Sequence, residues 1–195
     1  MGWVYHITNA FGSMTQAEME QNAQEIYGQL NSYGWTLNAI CAVLGNMQHE
    51  SYINPAQTQH GYNINSMRGG FGLVMWTPAR KFKEWAQANN HSIYSGYWQL
   101  YALDQQPWGI EYIPTTEYPL SYQEFKTSEE DLTYLTTAFC KNYERAGVEA
   151  LDLRIAYAED WYSYLSGEEP PDPSPPDPGG YKGTGLPIYM MIRYH

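Results

Sequence analysis

The residue of this chain best placed to do chemistry is Glu50. It closes the run Ala39-Ile-Cys-Ala-Val-Leu-Gly-Asn-Met-Gln-His-Glu50. Around that run Leu37, Ile40, Cys41, Leu44 and Met47 recur at spacings of three and four behind the capping residue Thr36. That spacing predicts an amphipathic helix bound for a core. Asn54-Pro55 disfavours further helix, so the apolar face stops near Gln48 and Glu50 stands at a helix end before a polar loop. A half-buried carboxyl group beside the negative end of a helix dipole prefers its neutral form. A general acid at neutral pH needs that preference. The bland alternative is a solvated charge at a helix terminus.

A second stretch, Gly69-Gly-Phe-Gly-Leu-Val-Met-Trp-Thr-Pro-Ala-Arg80, comes about twenty residues on. Its glycines permit a tight backbone before a short apolar strand, and Thr77-Pro78 caps and starts another helix. No Asp or Glu lies between Glu50 and Glu84, so no second carboxylate is expected to join Glu50. The neutral polar groups on offer are Thr77 and, in the loop that faces it, His60, Tyr62 and Asn63.

Helix, glutamate, polar loop, glycine-rich strand and helix, in that order, resemble the lysozyme superfamily. The likeness is greatest to phage tail-associated lysozyme domains and smaller to goose-type lysozymes and lytic transglycosylases. It rests on Gly45-Asn-Met-Gln-His-Glu-Ser51 with Asn54-Pro55, on Gly70-Phe-Gly-Leu-Val-Met-Trp-Thr77, and on Phe139 with Tyr143-Glu-Arg145, and it covers roughly residues 14 to 166. The resemblance implies a mainly α (α+β) lysozyme-like fold, two lobes with a small β element and a cleft between them. It implies that Glu50 is the catalytic acid and that 70 to 77, with Met75 and Trp76, walls the sugar-binding cleft. Gln48, His60, Tyr62, Asn63 and Tyr143 complete the expected substrate-binding set. Goose-type enzymes carry an aspartate where this chain has Thr77. Thr77 is therefore read either as a group that holds the attacking water or as a plain helix cap. Glu144 and Arg145 are read as a structural pair or a solvated helix end.

The activity so implied is cleavage of the β-1,4 glycosidic bond of peptidoglycan between N-acetylmuramic acid and N-acetylglucosamine as a phage enters its host. With no nucleophile about 5 Å from the acid, no covalent intermediate is expected. Two alternatives stand beside it. One is a lytic transglycosylase, in which the sugar's own 6-hydroxyl replaces water; the other is a tail structural or wall-binding module that kept the fold without the activity.

Composition narrows the partners. The net charge is −11, from 10 Lys plus Arg against 21 Asp plus Glu. No basic cluster interleaves with the aromatics, which excludes a nucleic-acid partner. An acidic balance suits an enzyme delivered by an assembly, with other phage tail proteins as partners, more than one steered electrostatically to an anionic wall. The 19 Tyr and 7 Trp exceed what one core needs and suit sugar faces. Cys41 and Cys140 each fall on an apolar helical stripe and read as buried thiols, and the five histidines show no metal-ligand spacing, so neither metal nor cofactor is expected. The first residues lack the basic start and apolar run of a secretory signal, and no eighteen apolar residues run together. The chain thus reads as a virion component made in the bacterial cytoplasm without export and without a membrane span.

Residues 1 to 13 read as an irregular entry. Thr15 and Glu18 form a capping box that opens a helix to about Ser32, ahead of the Glu50 helix. Pro78 to about Ala88 and Gly96 to Gln106 read as helices, the latter carrying Asp104 as a surface charge. Residues 107 to 120 read as a loop, and Ser121 and Glu124 as a second capping box. Ser128-Glu-Glu-Asp is expected to begin a helix with the inward stripe Leu132, Leu135, Phe139, Cys140 and Tyr143, and Glu149 to Leu165 a last one. After the 1 to 166 lysozyme-like domain, residues 167 to 182 are an acidic Pro/Gly-rich linker. Residues 183 to 195 are a short strand-like segment that either docks on a partner or leads into a further domain.

Overall fold

Threonine opens the first two helices. Thr15 accepts from Glu18 N while Glu18 reaches back to Thr15 N, starting α1 (Gln16–Ser32), and Thr36 accepts from Ala39 N to start α2 (Leu37–Ser51). Such caps satisfy backbone donors that a helix start leaves open. The order continues with α3 (Arg80–Ala88), α4 (Gly96–Gln105), α5 (Tyr122–Lys126), α6 (Leu132–Phe139), a π-helical turn (Cys140–Glu144) and α7 (Leu151–Ser166). These elements come from a computed structural model that describes residues 2–147 and 149–168. Of the linker expected over 167 to 182 all but its first two residues, and the whole of the terminal segment expected over 183 to 195, lie outside the described residues.

Helix α2 is the axis of the core. Every residue from Ala39 to Met47 is buried, and each fully buried Ile40, Leu44 or Met47 stabilises by roughly 1.5–3 kcal/mol relative to exposure. It packs along α7, α6 and α1. Gly45 makes the α7 contact possible: a Cβ there would stand 2.4 Å from Arg154 O and 2.8 Å from Ala158 N. The two backbones therefore touch, and α7 is fixed one side chain closer to α2 than any other residue would allow.

The mainly helical fold matches the expectation, and the local details differ in four places. Residues 70 to 77 are not a strand. The β element among the described residues is two isolated bridges, Thr8 with Gln57 and Thr58 with Phe71. Positive φ at Gly69, Gly72 and Met75 turns the chain before a ladder can extend, and Met75 N closes onto Gly72 O. Helix α3 begins at Arg80, not Pro78, with Ala79 at its cap position and no side-chain cap bond, so Thr77 does not cap it. Helix α6 begins at Leu132 with Asp131 as its cap. The segment before it is spent on docking instead, since Thr36 Oγ1 and Asn38 Nδ2 donate to the carbonyls of Ser128, Glu129 and Glu130. Asp104, finally, is not a surface charge. It is 7% exposed and accepts from Trp35 Nε1 at 2.7 Å and Lys126 Nζ at 2.9 Å, tying α4 to α5. Cys41 and Cys140 are buried free thiols, as the stripes predict, and burial pushes them up to about 12 and about 11.

Candidate active site

Helix α2 ends because Tyr52 and Ile53 both take left-handed backbone, φ 55 and 56, which leaves Glu50 in its last turn. The neighbour that defines Glu50 comes from α7. Leu151, Arg154, Ala158 and Trp161 are spaced three, four and three apart, so Arg154 rides the stripe that α7 turns toward the core, and it is 1% exposed. Its guanidinium has three acceptors. Nη2 donates to Glu50 Oε1 at 2.5 Å, Nη1 to Asn46 Oδ1 at 3.0 Å and Nε to Glu149 O at 2.7 Å. Asn46 in turn donates to Ala42 O and Thr136 O. The catalytic candidate is thereby bolted through Arg154 and Asn46 to three helices. Burial and the helix dipole at Glu50 can be read from its own stretch of sequence; this cation, 104 residues further along the chain, cannot.

Glu50 opens into a pocket of about 750 Å³. The turn around Val74, Met75, Trp76 and Thr77 lines it, as do the π-turn and the loop behind it, with Tyr143, Glu144 and Arg145. Trp76 is held rather than free: its Nε1 donates to Tyr143 Oη at 2.9 Å, and its ring stacks on Phe82 at 4.8 Å. Tyr143 stacks on Phe139 at 4.7 Å. Both rings are nearly buried, so they set the shape of the pocket and expose little face. His49 also lines it; burial pushes its imidazole below the usual value, the Arg154 charge adds to this, and Glu50 opposes it. Lys81 and Glu111, paired at 2.9 Å, also line it.

Of the residues expected in the site, Glu50, Thr77, His60, Met75, Trp76 and Tyr143 line this pocket. Thr77 is exposed at its rim and donates its hydroxyl to Met75 O at 3.0 Å. Gln48, Tyr62 and Asn63 are placed elsewhere. Gln48 accepts from Trp161 Nε1 at 2.7 Å on the α7 side. Tyr62 lays its ring against Gly69, and Asn63 closes a local turn by accepting from Asn65 N. No group of three or more His, Cys, Asp or Glu that could hold a metal occurs among the described residues.

Among the pocket residues outside the expected set, Arg154 and Glu144 bear most on the chemistry of Glu50. Arg154 could have been found from its place on the α7 stripe. Glu144, in Tyr143-Glu-Arg145, reads from the sequence as a structural or solvated group. It lines the pocket with Glu50, and its Oε1 is buried with no hydrogen-bond partner among the described residues. Desolvation raises its carboxyl group well above the usual carboxylate range, and the Glu50 charge adds to this, while Arg154 and Arg145 oppose it. Arg145 donates from Nη1 to Glu111 O at 2.7 Å, and among the described residues no ion pair joins it to Glu144.

The helical core is the one that the resemblance implied, and Glu50 ends its central helix; a turn stands where the resemblance implied a strand over 70 to 77. The phage tail lysozyme family matches residues 21–165, most of the chain. The chain belongs to the phage tail lysozyme family. It is also 37% identical over 169 residues to Morphogenesis protein 1 of Bacillus phage B103, an alignment that takes in 85% of this chain and 44% of that protein. The chain thus spans less than half of the curated relative it matches. The family fits the fold described above, and no helix among the described residues is long and apolar enough to cross a membrane.

Proposed function

We propose that this domain is a muramidase that cleaves the β-1,4 bond of peptidoglycan, with Glu50 donating a proton to the leaving glycosidic oxygen. The observation that carries the reading is the position of Glu50. Its carboxyl group lines the pocket, anchored by a buried arginine that fixes where the proton would be delivered. The proton reaches the oxygen, the C1–O bond breaks with its electron pair going to that oxygen, and water adds to C1. Holding the donor within a fixed geometry is what lets a weak acid act on a bond as stable as an acetal. The name of the B103 relative and the charge of −11 support a place in the virion beside other tail proteins, where assembly rather than attraction brings the domain to the wall.

The test is release of soluble fragments from purified peptidoglycan by wild type and by Glu50→Gln, with circular dichroism confirming equal fold. Loss of release in the Gln variant is expected, because an amide of the same shape cannot supply the proton. Lysis within a few-fold of wild type would show that Glu50 is not the donor. Mass spectrometry of the product ends separates hydrolysis, which leaves a reducing sugar, from transglycosylation, which leaves a 1,6-anhydro sugar.

A further inference from the structure

We infer that Phe11, carried by the entry segment ahead of α1, is a sugar-binding residue of this site: its exposed ring, stacked on His60, is a platform for the apolar face of one pyranose of the glycan strand. This rests on the glycosidase reading above.

The chain has five phenylalanines. Phe71, Phe82, Phe125 and Phe139 are fully buried, whereas Phe11 is 65% exposed. A single exposed ring on open surface needs no explanation. Phe11 instead lines the same pocket as Glu50, Trp76 and Thr77. It stands ahead of residues 21–165, the stretch that matches the family.

The loop that follows Glu50 holds the segment in place. Asn54 and Gln57 are both buried, and both donate to it: Asn54 Nδ2 to His6 O at 2.8 Å and Gln57 Nε2 to Ala10 O at 3.1 Å. Thr58 N donates to Thr8 O at 2.8 Å beside the bridge of Thr8 with Gln57, and Asn9 Nδ2 donates to Tyr62 O at 2.9 Å. Beyond Phe11, Ser13 Oγ donates to Gln57 Oε1 at 3.4 Å. Phe11 is therefore fixed from both sides, so its backbone is ordered before a ligand arrives and binding need not order it. The ring stacks on His60 at 5.4 Å with 27° between the planes. His60 lines the pocket as well, and its Nδ1 donates to Asn9 O at 3.3 Å, which makes Nε2 the acceptor of a neutral ring.

The two rings together match one kind of ligand. A pyranose has an apolar face of C–H bonds and a rim of hydroxyl and amide groups. The face takes water off the Phe11 ring, while the rim can donate to Nε2 of His60. A wall peptide, which binds through charges and backbone amides, would find neither in these two rings. Because Phe11 shares its pocket with Glu50, the sugar it holds belongs to the strand on which Glu50 acts. Phe11 makes and breaks no bond, so its effect is on binding.

The experiment is equilibrium binding of a soluble, peptide-free strand of alternating N-acetylglucosamine and N-acetylmuramic acid to the full chain, carried out in Glu50→Gln so that the probe survives. Adding Phe11→Ala or Phe11→Leu is expected to weaken binding about tenfold, and Phe11→Trp to keep it within about twofold, with circular dichroism unchanged in all three. Leu keeps apolar bulk without a flat face, so a merely structural Phe11 would be rescued by it. A second readout needs no substitution at Phe11. In protein with ring-labelled phenylalanine, magnetisation transfer from the label to the sugar C–H protons is expected, and Phe11 is its source because the other four rings are fully buried. Binding by Phe11→Ala within about twofold of its parent, recovery by Phe11→Leu, absence of transfer to the glycan, or transfer to a free wall peptide in its place overturns the platform. If wild type releases no fragments from peptidoglycan, the glycosidase reading fails separately, while the binding and transfer results still decide the role of Phe11.

Discussion

Replacing Arg154 by Met tests whether the ion pair beneath the pocket organises it. The side chain is 1% exposed and donates to three acceptors, one of them a carboxylate. Removing one partner of a buried pair costs about 3–5 kcal/mol because the other charge is left without its counterpart. The orphaned Asn46 Oδ1 and Glu149 O add to this, at about 1–3 kcal/mol each when they stay dry. Glu50 keeps a side-chain exposure of 20%, so water recovers about half of the first loss; with the two acceptors at their lower figure of about 1 kcal/mol each, the total is about 4 kcal/mol. Against a stability of about 5–15 kcal/mol for a domain, the variant stays folded but is weak. With a urea slope of about 2 kcal/mol/M its midpoint should fall by about 2 M. Pairing it with Glu50→Gln isolates the charge–charge part. The double variant carries no unpaired carboxylate and should be more stable than the sum of the two singles by about 1.5–3 kcal/mol. A loss under about 1 kcal/mol for Arg154→Met, or singles that add to within about 0.5 kcal/mol, would refute the claim that Arg154 and Glu50 hold each other.

The same contacts set two further outcomes. Glu144 holds its proton more tightly folded than unfolded, so between the ordinary carboxylate value and its raised folded value the native state binds more protons than the unfolded state, and stability falls as pH rises through that window. Glu144→Gln should therefore be more stable than wild type at neutral pH and equal to it at low pH, read from urea midpoints across pH; a gain that does not grow with pH would contradict the assignment. Gly45→Ala puts a methyl group 2.4 Å from Arg154 O, which is backbone and cannot swing aside. Overpacking of this kind costs about 1–3 kcal/mol, and because α7 must move with Arg154, the folded variant should lose fragment release as well. Wild-type stability in Gly45→Ala would show that the α2–α7 contact is looser than described.

Much of the helical frame was legible because it rests on local rules. Thr15 with Glu18, Ser121 with Glu124 and Thr36 alone are cap patterns that need only a few residues to act, and all three caps form. The stripe of α2 is likewise local. What failed depended on partners distant in sequence. Asp104 looked like a surface charge because nothing near it in the chain reveals Trp35 or Lys126. Ser128-Glu-Glu-Asp looked like a helix start because its carbonyls' use by Thr36 and Asn38, about ninety residues earlier, leaves no local trace. The expected strand failed for a different reason: Phe71, Leu73 and Val74 have a strand's composition, but the positive φ values at Gly72 and Met75 serve a turn.

The site was half legible, and the missing half turns on one geometric event. An α-helix gains about 100° per residue, so a stripe read at 3.6 residues per turn through Leu132, Leu135 and Phe139 fixes where every later side chain should point. At Cys140 the helix widens, and Arg145 N closes an i to i−5 bond onto Cys140 O at 2.8 Å before Arg145 itself turns left-handed. That wider turn adds a residue without adding a turn, which rotates the side chains beyond it relative to the α stripe. Tyr143 keeps its place against Trp76 while Glu144, read from the sequence as a solvated end, reaches the pocket instead. A π-turn has no apolar period to betray it, and the reason to form one here is tertiary: Asn142, within the turn, holds Tyr112 Oη, Tyr118 O and Thr115 N. Asn142 thereby anchors the 107 to 120 loop to the π-turn, and the last residue of that turn, Glu144, lines the same pocket as Glu50.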